Sequence, residues 1–234
     1  RHDVERRFAV ADERSGRVIT TDETAPESGA AIWAYSDAGT IGIDNAGAIT
    51  GNVALAALGV DAVSGASVEF NNAAGGKWTL SGENAVYGLG DVTLNNAGTV
   101  SAVGSSVSTF QSDEGDIAIA NSGKLVATGY EHDFNFVHPL GAATFSNTGK
   151  VIVDGGLNFN GLDEFNNANL IDMTDSDATD YLTISGDYNA VGAPVFAFNA
   201  QLKANGASDY MVVGGDVSGT THIKVGDLVS STPG

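Results

Sequence analysis

The chain has 234 residues, with 29 acidic against 10 basic side chains for a net charge of −19, 31 glycines, 4 prolines and no cysteine. Such an acidic balance repels a polyanion, so no nucleic-acid partner is expected. The lack of cysteine removes disulfides, thiolate nucleophiles and Cys-ligated metals, and no apolar run reaches the roughly 18 residues of a membrane-spanning helix.

The first elements in chain order are charged. Arg1, Arg6, Arg7, Arg14 and Arg17 are all the arginines the protein has, and no apolar signal core lies among them. Residues 1–24 read as a mobile arm or a lead-in to the fold. Without an initiator Met, the chain reads as a processed product or an excised fragment.

Residues 25–175 carry a repeat, apolar-x-Asn-x-Gly-x-apolar. It runs Ile43-Asp-Asn45-Ala-Gly47-Ala-Ile49, then Leu94-Asn-Asn96-Ala-Gly98-Thr-Val100. It returns as Ile119-Ala-Asn121-Ser-Gly123-Lys-Leu125 and Phe145-Ser-Asn147-Thr-Gly149-Lys-Val151. Two copies are degenerate: Phe70-Asn-Asn72 has two extra residues before Trp78, and Phe165-Asn-Asn167-Ala-Asn169 places Asn where the others have Gly. The anchors at 45, 72, 96, 121, 147 and 167 recur about every 25 residues, the signature of a solenoid with loops of varying length.

Each copy predicts a strand, because apolar residues stand two and often four positions before the anchor. Asn-x-Gly predicts a tight bend in which glycine supplies a positive φ, a demand that Asn169 also meets. The apolar residue four positions past the anchor then starts a second strand. Strand, bend and strand repeated in this way predict an all-β parallel β-helix, with the anchors aligned into an amide ladder between coils.

Residues 176–234 change pattern. Asp180-Tyr-Leu-Thr-Ile-Ser-Gly186-Asp187-Tyr188 is echoed 29 residues later by Asp209-Tyr-Met-Val-Val-Gly-Gly215-Asp216-Val217. Pro194 to Leu202 and Gly219 to Val225 alternate as strands. A solenoid end is an unpaired edge that needs covering, so this part is expected to cap the coils.

The repeated Asn-x-Gly coils resemble the passenger domains of autotransporters, the type V secreted proteins of Gram-negative bacteria. The succession Leu182-Thr-Ile-Ser-Gly-Asp-Tyr188, Ser208-Asp-Tyr-Met-Val-Val213 and Gly215-Asp-Val-Ser-Gly-Thr220 is similar to the autochaperone region that ends such passengers. The resemblance spans about residues 40 to 226. It implies a right-handed single-stranded parallel β-helix and export to the cell surface, anchored at the bacterial outer membrane before any cleavage. It also implies a partner in a C-terminal outer-membrane β-barrel, which these 234 residues do not contain.

Residues that could carry chemistry are few. His132 and His138 would share one face of a strand beside Glu131 and Asp133, either as metal ligands or, more simply, in a polar loop. Asp172, Asp175, Asp177 and Asp180 fall within nine residues. They suit Ca²⁺ or an acid/base pair, although a solvated loop is the plainer reading. No cofactor and no catalytic residue is expected. The leading expectation is a non-enzymatic passenger stalk serving surface display and adhesion to a host surface or polysaccharide. The alternatives are a self-associating homopolymeric surface protein and a polysaccharide-degrading enzyme using paired carboxylates.

Overall fold

The computed structural model describes residues 18–20, 30–36, 40–58 and 66–228; the arginine-rich stretch Arg1 to Arg17 lies outside them. Among the described residues every regular element is a strand, and the strands form two parallel sheets. One sheet is built of short strands. Ile41–Asn45, Val68–Asn72, Val92–Asn96, Ile117–Asn121, Ala143–Asn147, Glu164–Asn167, Asp187–Ala190 and Val217–Gly219 pair in that order. The other sheet takes the longer strands, chiefly Lys77–Gly88, Thr99–Ser112, Lys124–Val137 and Lys150–Asn160. The chain therefore closes one lap per repeat and lies on the lap before it, the parallel β-solenoid that the repeat predicts. Val18–Thr20, within the expected lead-in, already belongs to the long-strand sheet and pairs with Ala48–Thr50.

Register is set by the inward side chains. Ile43, Phe70, Leu94, Ile119, Phe145, Phe165 and Tyr188 occupy one column in consecutive laps. A slip of one residue would turn each of them to the outer face, which is why a half-buried strand fixes its register firmly. Aromatic rings continue the stacking inside the core. Phe70 lies on Trp78 with centroids 4.6 Å apart, and Phe145 on Phe165 at 4.8 Å. These rings remove large apolar areas from water, and the offset stacking adds to that burial.

The motif glycines meet a different demand from the one expected. Gly98, Gly123 and Gly149 do not have positive φ. A Cβ on Gly123 would instead stand 2.1 Å from the Gly98 carbonyl oxygen, and one on Gly149 would stand 2.1 Å from that of Gly123. Glycine is thus needed because successive laps approach too closely at this turn for any side chain. Asn169 is not left-handed either, and the pairing just past it is long. The inter-lap bond from the Leu170 amide to the Gly149 carbonyl is 3.4 Å, against 2.8 and 2.9 Å for the equivalent bonds of Lys124 and Lys150.

Left-handed glycine is used elsewhere, at a corner within the long strands that the strand–bend–strand pattern does not contain. Gly104 (φ 65°) and Gly129 (φ 88°) sit where the register between neighbouring long strands shifts. A bulge there bends each of these strands. In later laps the corner opens into loops: Leu170–Met173 is separated from Tyr181–Ile184, and Val195–Ala200 from Tyr210–Val213.

The 29-residue echo is a true structural equivalence. Tyr181 aligns with Tyr210 and Tyr188 with Val217, so the C-terminal units are further laps of the same solenoid. The final lap is largely exposed, including Tyr210, Val212, Val217, Ile223 and Val225.

Candidate functional site

The repeat anchors form a continuous polar ladder along the described laps. Asn45 Nδ2 donates to Asn72 Oδ1 at 2.7 Å, and the relay continues through Asn96, Asn121, Asn147 and Asn167 at 2.7–2.8 Å. Each amide group has two N–H donors, and the second is used as well: Asn96 and Asn121 donate to the Lys124 and Lys150 carbonyls at 2.8 and 3.0 Å. The oxygen of Asn45 also accepts the Gly47 amide. All six anchors are buried, so a satisfied ladder was the only affordable arrangement for them. It ends on Tyr188, whose hydroxyl accepts from Asn167 at 3.0 Å.

His132 and His138 do not come together as metal ligands. The His132 ring lies in the core of Lys124–Val137 rather than in a loop. Its Nε2 faces the Thr128 carbonyl at 3.2 Å, which requires a donated proton, and its Nδ1 accepts the Ser106 hydroxyl at 2.8 Å. Burial holds its pKa below the ordinary histidine value, which keeps the ring neutral. This Ser–His pair is sealed from solvent on both sides, so no substrate reaches it. His138 is engaged separately, with the Gly141 and Gly161 carbonyls at 3.1 and 2.7 Å.

Acidic residues converge at the opened corner. Of the four aspartates singled out in the sequence, Asp175, Asp177 and Asp180 take part, whereas Asp172 caps Thr174 nearby. Two further members, Asp154 and Asp209, come from neighbouring laps. Carboxylate oxygens of Asp154, Asp175 and Asp180 lie within 4.8 Å of one another, and so do those of Asp177, Asp180 and Asp209. Asp180 belongs to both groups and is 1% exposed. Its Oδ1 accepts the Gly155 amide at 2.6 Å, while its Oδ2 is buried without a partner. Asp209 accepts the amides of Asp180 (3.0 Å) and Asn199 (2.7 Å).

Burial pushes the Asp180 carboxyl up to about 7, against the opposing Gly155 amide bond. Burial also raises Asp209, with the Asn199 and Asp180 amides opposing. Asp209 was legible as the 29-residue echo of Asp180; Asp154 had no signal beyond its place before the Gly155-Gly156 pair.

Lysines gather on another edge. Lys77, Thr99, Lys124 and Lys150 occupy one register column, and the three lysines are exposed. Thr99, Lys124 and Lys150 line a groove together with Gly98, Gly123 and Gly149.

No protein-family model matches the chain, and neither does any curated protein or solved structure. The protein is a parallel β-solenoid, the architecture that its resemblance to autotransporter passengers implies.

Proposed function

We propose that this chain is the non-enzymatic passenger stalk of a Gram-negative autotransporter, displayed at the cell surface and serving adhesion. The observation that carries the reading is the combination of an unbroken Asn ladder with C-terminal units in lap register. The Leu182–Tyr188 and Ser208–Thr220 segments that resemble an autochaperone region occupy the laps on which such a segment would template its neighbours. A solenoid suits the task because each lap supplies the pairing edge and apolar cover for the next. Folding could therefore proceed lap by lap, and the buried area gained outside the cell would oppose back-sliding. The seclusion of the Ser106–His132 pair supports a role through surfaces rather than catalysis.

The test is a fusion of the chain between a signal peptide and an autotransporter β-barrel in a Gram-negative host. Externally added proteinase K should remove the chain from intact cells, and those cells should gain adhesion to immobilised glycans or host cells. Retention of a folded chain in the periplasm, while a reference passenger crosses, would overturn the reading.

The lysine column favours a second reading, side-by-side self-association. Three cations in one register column, with Thr99 between the first two, offer a stripe on a molecule of net charge −19 that an acidic face of another copy complements. Light scattering should then show assemblies that dissolve as salt screens the attraction, and Lys124→Glu with Lys150→Glu should abolish them.

A further inference from the structure

We propose that the opened corner of the last laps is a divalent-cation site that takes Ca²⁺, with Asp180 at its centre and Asp154, Asp175, Asp177 and Asp209 around it. The argument begins with a defect. Asp180 Oδ2 is a carboxylate oxygen buried without any hydrogen-bond partner, which is costly unless something of opposite charge meets it. Its neighbours are further carboxylates, which by themselves add repulsion instead of relief. A cation reverses the sign of every one of these interactions.

Geometry and donor chemistry select the ion. The mutual spacing of up to 4.8 Å within each group is about twice a Ca–O bond of 2.3–2.6 Å, so one ion can touch any pair of these oxygens. All donors are carboxylates, hard ligands that suit Ca²⁺ and not the softer metals held by His or Cys. The loop is also braced. Asp175 Oδ1 accepts the Asp177 amide (2.8 Å) and Asn199 Nδ2 (3.3 Å), and Asp177 Oδ1 accepts the Thr179 amide (2.9 Å). Asp154, the loop 175–180 and Asp209 belong to three consecutive laps, and an ion in either group would tie two neighbouring laps together through Asp180.

The experiment is calorimetric titration of CaCl₂ into chelator-stripped protein, with thermal unfolding in parallel. Saturable binding is expected with a Kd of about 10⁻⁴ M or tighter, together with a rise in Tm of about 5 °C or more at a hundredfold excess over Kd. Asp180→Asn, which keeps an oxygen for the Gly155 amide, should abolish binding. Asp177→Asn changes an exposed side chain without threatening the fold and should weaken binding at least tenfold. Glu83→Gln, an acid three laps before the strand that carries Asp154, should leave the Kd unchanged. Absence of saturable binding, an equal Tm rise with MgCl₂, or wild-type affinity in Asp177→Asn would each overturn the proposal.

Discussion

At the scale of single residues, the ladder asparagine and the turn glycine are the positions least open to change. Asn121 takes the Asn96 N–H and gives to Asn147 and to the Lys150 carbonyl. Asn121→Ala strands these three partners in the core, and at about 1–3 kcal/mol for each unmet buried group the expected loss is about 3 kcal/mol or more in urea unfolding. Asn95→Ala, which removes a bond from Asn95 to Asn71 on the half-buried outer row, should cost less than about 1 kcal/mol. Glycines divide in the same way. Gly123→Ala drives a methyl into the Gly98 carbonyl and should destabilise by about 1–3 kcal/mol. Gly42→Ala meets nothing within 4 Å and should be neutral or stabilise by up to about 1 kcal/mol. The sequence makes both motif positions conspicuous, yet the reason for the glycine was not legible. Close approach is a property of two laps at once, and a single copy of the motif contains only one of them.

At the scale of elements, the long strands carry a polar pair in their core, and that pair makes stability depend on pH. His132 is held neutral, so its folded pKa lies below the unfolded value of about 6.5. Its contribution is complete above that value and is lost as pH falls from there toward the folded pKa, because only the unfolded chain takes up the proton. The slope attributable to this group is about 1.4 kcal/mol per pH unit within that window. His132→Leu should flatten the difference in urea midpoint between pH 7.5 and pH 5, since Leu157 already occupies the same column one lap on.

The alternation of Ile117–Asn121 or Ala143–Asn147 made the short strands readable. The long strands were read only in their first half, because the bulge after Thr128 interrupts the period just where His132 turns inward. A residue that looks like a loop histidine is therefore a core residue. The aspartate corner was partly legible for a related reason: its local members share one loop and Asp209 echoes Asp180, while Asp154 arrives from another lap with no motif to mark it.

At the scale of the whole molecule, quasi-one-dimensional stacking predicts that laps are interchangeable units. Deleting residues 97–121 joins Asn96 to Ser122 and removes one complete lap between equivalent positions. That variant should keep a strand-rich circular dichroism spectrum and cooperative unfolding at a lower Tm. Removing half as many residues should abolish cooperative unfolding, because it leaves every later anchor out of column.

The stack is not uniform. Beside Asn169 both the Leu170 amide bond and the Asn147 bond to the Leu170 carbonyl lengthen to 3.4 Å, so this joint is the loosest rung on that edge. The aspartate corner bridges the same two laps from the bend within the long strand, Asp154 on one and Asp180 on the other. Under tension the rod would part at this rung first, and an ion seated at the corner would act as the latch that decides how much pull the joint withstands.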